Sequence, residues 1–125
     1  MDGLGEQFAR ALAEKDFDRL MTLIDPDLDF RGLTPRRAWE ADGADALVAE
    51  VLRQWFEDDD EIEALEKLET DSFADRERVG YRFRIRNPEG RFLVEQQVYL
   101  SADAGRITWM RTLCSGFRPL AEPQG

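Results

Sequence analysis

The chain contains no histidine, and Cys114 is its one cysteine. This removes the commonest general base, the Ser-His and Cys-His nucleophile pairs, and the usual transition-metal ligand. An intrachain disulfide and a multi-cysteine zinc cluster are excluded on the same count. Proton transfer would have to run on carboxylates, tyrosine, lysine, arginine or the single thiol. Cys114 has no histidine or nearby lysine in sequence to lower its pKa, so it reads as a small buried hydrophobe rather than a nucleophile. Asp58-Asp59-Asp60-Glu61 offers hard oxygen ligands, but it lacks the alternating spacing and central glycine of an EF-hand loop and reads as a solvated turn. Arg31, Arg36 and Arg37 flank a loop before Trp39. They either gather at a pocket mouth to hold a carboxylate or phosphate, or belong to a solvated loop, the plainer reading. These residues call for no cofactor and no metal.

The elements that must position such groups follow from hydrophobic spacing. Leu4, Phe8, Ala11 and Leu12 form one stripe of an amphipathic helix. Asp16 or Asp18 caps a second short helix carrying Leu20, Met21, Leu23 and Ile24, which Pro26 stops. Leu28 to Arg31 is a short strand candidate, followed by a loop with Gly32, Pro35 and Trp39. Leu47, Val48, Val51, Leu52, Trp55 and Phe56 give the clearest helical signal of the chain. Val79, Tyr81, Phe83 and Ile85 then alternate with Gly80 and three arginines. Asn87 to Gly90 turns the chain into Phe92 to Leu100, and Ala102 to Gly105 turns it into Ile107 to Phe117, which makes three antiparallel strands. Glu61 to Glu69 stays open: Ile62, Leu65 and Leu68 suit a helix, as does its content of good helix formers. Residues 119 to 125 read as a loose tail.

A length of 125 residues fits one domain over residues 1 to 125 with one core. The 42% hydrophobic fraction, with eight Phe and three Trp, predicts a folded chain despite 35% charged residues. A formal net charge of -10 repels phosphate backbones and anionic lipid, so neither nucleic acid nor membrane is an expected partner. No segment approaches the roughly 20 apolar residues of a bilayer span, and the start has no basic-then-apolar pattern. Cytoplasmic location is the resulting expectation.

The order helix, helix, strand, helix and then long antiparallel strands resembles the NTF2-like (SnoaL-like) superfamily. Ala13 to Leu20 is similar to the turn between its first two helices, and Gly105-Arg106-Ile107 to the opening of its last strand. The match spans about residues 6 to 118. The resemblance implies an α+β cone, a curved antiparallel sheet wrapped around three N-terminal helices and leaving a mostly apolar pocket, and it tips Glu61 to Glu69 toward a strand. The superfamily holds ketosteroid isomerase, polyketide cyclases, limonene epoxide hydrolase and scytalone dehydratase beside members without chemistry, so fold cannot carry function. Against the steroid isomerase, Phe8 falls where an oxyanion-donating tyrosine belongs, Gly32 near the carboxylate base and Gln97 at the protonated carboxylic acid, so its reaction is not expected. The dehydratase and the cyclases rely on histidine, and the Arg-Asp-Asp arrangement of the epoxide hydrolase has no visible counterpart.

The same resemblance puts Glu95, Gln97 and Tyr99 on the pocket face of one strand and Met110 and Cys114 on that of the next. Trp39, Trp55, Tyr81 and Phe83 complete an aromatic wall, although aromatic residues at such spacing are more often plain core. Desolvated among Tyr99, Trp55 and Phe83, Glu95 would have a raised pKa suited to general acid or base work, with Tyr99 or Gln97 steadying an oxyanion. The plainer alternative has Glu95 paired with an arginine or facing the rim. With those residues inward, the two-residue period sends Phe92, Val94, Val98, Leu100, Ile107, Trp109 and Leu113 outward as an apolar face that a homodimer would cover. Three functions stay open: a pocket protein for a small, largely apolar ligand; an isomerase, dehydratase or cyclase-like lyase using Glu95; and a dimeric interaction module with a vestigial pocket.

Overall fold

The computed structural model describes residues 3 to 120. Helix α1 (Leu4–Ala13) buries Phe8, Ala11 and Leu12 along its predicted stripe. A tight turn leads into α2 (Phe17–Leu23), where the Asp16 carboxylate accepts the Arg19 N–H at 3.0 Å and so satisfies one of the free donors of the first turn. Strand β1 (Ile24–Thr34) and β2 (Arg37–Asp42) form a hairpin across Pro35 and Arg36, the latter at φ 76. The predicted loop around Trp39 is thus a strand, because the Pro-Arg corner closes a two-residue turn. A third helical stretch comprises α3 (Ala44–Ala46), a π-helical segment Leu47–Leu52 and α4 (Arg53–Trp55). It buries Leu47, Val48, Val51 and Leu52.

Four long strands follow: β3 (Glu61–Phe73), β4 (Arg76–Asn87), β5 (Gly90–Asp103) and β6 (Arg106–Cys114). The short β7 (Arg118–Pro119) pairs with β5, so the expected tail begins as sheet; the rest of it, 121 to 125, lies outside the described residues. Strand order is β2-β1-β6-β5-β4-β3, with β1 parallel to β6 and the other neighbours antiparallel. The architecture is α+β, a curved, unclosed mixed sheet against the helices. No helix among the described residues is long and apolar enough to cross a membrane.

The open segment 61 to 69 is a strand, and its helix-like spacing has a cause. Two register shifts, between Ile62 and Ala64 and between Leu65 and Lys67, each insert an extra residue opposite β4. Ile62, Leu65 and Leu68 then oppose Ile85, Phe83 and Tyr81 on one face, at intervals of three instead of two.

On β4, Val79, Tyr81, Phe83 and Ile85 are all buried. Their β5 partners are Val98, Gln96, Val94 and Phe92, and this pairing fixes which side of β5 faces the helices. Val94, Gln96, Val98 and Leu100 therefore point inward, whereas Glu95, Gln97 and Tyr99 point outward. That corrects the expected parity of β5 by one residue. Phe92, Val94, Val98 and Leu100 are inner-face residues, and so is Ile107, carried inward by the register shift opposite Ser101 and Ala102. Of the apolar set expected outside, Trp109 and Leu113 are on the outer face.

Candidate functional site

Seven aromatic contacts line the inner side of the sheet in two chains. Phe8 tilts on Tyr81 (6.5 Å), which stacks on Phe83 (4.9 Å); Phe83 meets Phe56 edge-on (5.8 Å), followed by Phe117 (6.1 Å) and Phe92 (5.9 Å). The second chain runs from Phe30 to Trp55 (6.0 Å) to Trp39 (5.8 Å), both edge-to-face. Each ring owes its place to a strand parity or a helix stripe. Tyr81 and Phe83 sit on the buried face of β4, Phe30 and Trp39 on that of the β1–β2 hairpin, and Trp55 on α4.

Within this apolar layer lies one polar group of three. The Tyr81 hydroxyl donates to the Gln96 side-chain oxygen, with both residues almost fully buried. Cys114 is the cross-strand neighbour of Gln96, and its Sγ accepts the Gly116 N–H at 3.4 Å. Two buried donors, Gln96 Nε2 and Trp55 Nε1, have no hydrogen-bond partner among the described residues. A buried donor left unpaired costs about 1–3 kcal/mol, so two of them beside the aromatic chains call for a reason. Burial first, and then the neighbouring Cys114, push the Tyr81 phenol well above its ordinary range.

The Tyr81 shift has a measurable consequence. The fold holds the neutral phenol, whereas the unfolded chain ionises near about pH 10. The folded value is the higher one, so the contribution is present below about pH 10 and is lost as pH climbs from there through the folded value. In a Tyr99→Phe background, where Tyr81 is the only tyrosine, phenolate absorbance should appear together with loss of the far-UV signal. Phenolate growth near about pH 10 with an intact fold would show that water reaches the ring.

The residues expected to do chemistry are elsewhere. Glu95 lies on the outer face, where its carboxylate accepts from Arg82 Nε at 2.7 Å, and both side chains reach solvent. Gln97 accepts from Arg78 at 3.2 Å on the same face, and Tyr99 packs edge-on against Phe73. Met110 and Cys114 are inside as expected, with Tyr81, Phe83, Trp39 and Trp55. Gln96 was missed, although the plain apolar alternation of Phe92, Val94, Val98 and Leu100 pointed to its side of the strand. The three arginines do not converge: Arg31 is 4.0 Å from Glu40 outside, Arg36 is at the hairpin corner, and Arg37 stacks over Trp39 at 3.5 Å.

Glu57, Asp59 and Asp60 bring carboxylate oxygens within 4.8 Å of one another. Asp60, however, already uses both of its oxygens. One accepts the Glu57 N–H and the other the Asn87 side-chain N–H, each at 2.9 Å, which ties the start of β3 to the end of β4. The outer face carries a groove of about 660 Å³ bordered by Arg31, Leu33, Ala38, Tyr99, Arg111 and Leu113, among others.

No family model and no curated relative matches the sequence. Solved structures do match. A protein from Rhodopseudomonas palustris whose isomerase name is provisional is 20% identical, with a TM-score of 0.73, covering 93% of this chain and 92% of its own. An NTF2-like protein from Burkholderia xenovorans is 18% identical, with a TM-score of 0.66, covering 90% and 86%. The fold is the NTF2-like cone. A third structure, a protein of ketosteroid isomerase-like fold from Catenulispora acidiphila solved with trimethylamine, is 13% identical, with a TM-score of 0.68 over 92% and 87%. Set in the NTF2-like frame, Phe8 and Gly32 are inner-face residues, while the inner position expected of Gln97 belongs to Gln96.

Proposed function

We propose that this NTF2-like chain binds a small, largely apolar molecule inside its cone and performs no proton transfer there. The carrying observation is the buried Gln96 amide, whose oxygen is taken by Tyr81 and whose Nε2 has no partner. An amide N–H set among aromatic rings suits a flat molecule with a neutral oxygen acceptor: the rings supply contact area and the donor fixes orientation. A polar group buried in such a layer costs stability unless a hydrogen bond compensates it, and a ligand carbonyl would do so.

The lyase reading loses its base, since Glu95 is outside and engaged with Arg82. Of the described residues, the buried polar or charged ones are Asp60, Gln96 and Thr112, and Asp60 is occupied as a turn lock. A phenol shifted upward donates hydrogen bonds and does not abstract protons near neutral pH. The trimethylamine-bound relative supports the reading to the extent that this fold accommodates a small molecule.

The test compares 2-acetylnaphthalene with naphthalene, which lacks the acceptor. Wild type should bind the ketone about tenfold more tightly, the worth of one buried hydrogen bond. The double variant Tyr81→Phe/Gln96→Met removes both polar partners together and so should stay folded. It should bind the two compounds alike. No uptake of either compound by the wild type, or an unchanged preference in the double variant, would overturn the proposal.

A further inference from the structure

We propose that the free edge of β3 is a docking site for an extended, basic segment of another protein, which joins the sheet as one more strand. The inference is independent of the interior reading. Strand β3 ends the sheet and pairs with β4 alone. Long edges are ordinarily blunted by bulges, proline or a covering element. The two bulges of β3 protect only the stretch from Ile62 to Lys67. From Leu68 to Phe73 the register with β4 is unbroken, no proline interrupts it, and Glu69 to Phe73 are all exposed. Alternate residues there turn their N–H and C=O groups away from β4, a template for a further strand.

The side chains along this edge decide which strand it accepts. Glu69, Asp71 and Phe73 lie on the outer face of the sheet, Thr70 and Ser72 on the inner. The arginines opposite them on β4 are drawn toward the middle of the sheet: Arg78 donates to Gln97 at 3.2 Å, and Arg76 donates to Ser101 and lies over the Trp109 ring at 3.9 Å. Asp71 is thus left without an ion-pair partner among the described residues, although Arg78 is its cross-strand neighbour. Its carboxylate accepts the Ser72 N–H at 2.8 Å, a local bond that an incoming strand would replace. Glu69 reaches Lys67 at 3.4 Å with both side chains half exposed, a contact worth little. On the inner side a hollow of about 470 Å³ is bordered by Gly3, Thr70, Asp71, Ser72 and Glu77, and Glu77 offers one carboxylate oxygen to the Gly5 N–H at 2.9 Å. A strand with lysine or arginine at every second position puts cations directly opposite Glu69 and Asp71, where opposite charges stabilise and like charges destabilise. The same rule disfavours a second copy, which brings an identical acidic edge and a further net charge of -10. Small hydroxyl side chains at the alternate positions fit the hollow beside Thr70 and Ser72. Main-chain hydrogen bonds then supply the affinity, and the side chains choose the partner.

The probe is a fluorescent, end-capped heptapeptide alternating lysine and threonine. By anisotropy the wild type should bind it saturably, and at least about tenfold more tightly than the glutamate–threonine counterpart. The amides of Leu68 to Phe73 should be the ones that gain protection from hydrogen exchange. Methylating the backbone nitrogens of all the lysines, or of all the threonines, keeps every charge and removes the donors of one peptide edge. One of these two peptides should bind at least about tenfold more weakly than the parent. Glu69→Lys/Asp71→Lys changes two exposed positions and should reverse the preference in favour of the acidic peptide. Absence of saturable binding, equal binding of the parent and both methylated peptides, or protection gained elsewhere than on β3 would overturn the inference.

Discussion

Replacing Phe83 by alanine should cost about 4 kcal/mol of folding free energy, the middle of the range for a buried aromatic ring. Phe83 is wholly buried, stacks on Tyr81 at 4.9 Å and receives Phe56 edge-on at 5.8 Å, so its removal breaks the longer aromatic chain at its centre. The ring is held by β4 and opposed across the sheet by Val94 and Leu65, backbone positions that cannot collapse far into the space left behind. Against a typical stability of about 5–15 kcal/mol, that loss is a large fraction of the total. Urea unfolding of wild type and Phe83→Ala measures it directly. A loss below about 1.5 kcal/mol would mean that the ring already has free space on one side.

Gly43→Ala should be nearly as damaging, with a cost of about 3 kcal/mol or more. Gly43 has φ 96, where an L side chain is strained, and an added Cβ would meet the Pro26 carbonyl oxygen at 2.5 Å. That oxygen is backbone and cannot rotate away. The residue also joins two elements: its N–H donates to the Leu28 carbonyl at 2.7 Å and its own carbonyl accepts from Leu47 at 3.1 Å. The end of β2 and the start of the third helical stretch would move together. The expected outcome is a large fall in the urea midpoint, or loss of soluble protein. A change under about 1 kcal/mol would show that the corner relaxes freely.

Most of the fold was legible because its periodicities are clean. The stripe of α1, the Asp16 cap and the apolar face of β4 appear where the spacing put them. Two departures have definite physical causes. In β3 the bulges stretch a two-residue period to three, which copies the spacing of a helix and leaves composition to mislead. In the third helical stretch, apolar residues at i, i+1, i+4 and i+5 suit an α-helix, and nothing in that pattern marks the π-helical turn Leu47–Leu52. The site was less legible. Both faces of β5 contain glutamine, and a register error of one residue exchanges them completely. The family likeness placed Gln97 inside, whereas the count of apolar residues on each face favoured the side of Gln96, and the pairing with Tyr81 decides for the latter. The unpartnered donors had no sequence signal, since a missing hydrogen bond is a property of packing alone.

The parallel pairing of β1 with β6 dictates when the cone can close. Arg111 and Asp29 meet across that seam from positions 82 residues apart, whereas β3 to β6 pair through short local turns. Loop-closure entropy makes the long-range seam the slow event, so the four-strand meander forms readily and the helices with the β1–β2 hairpin dock afterwards. Until then Phe30 and Leu28 lack their cover, and so does the inner face of the meander. A chain in which that seam has not yet paired would therefore be the one most exposed to aggregation.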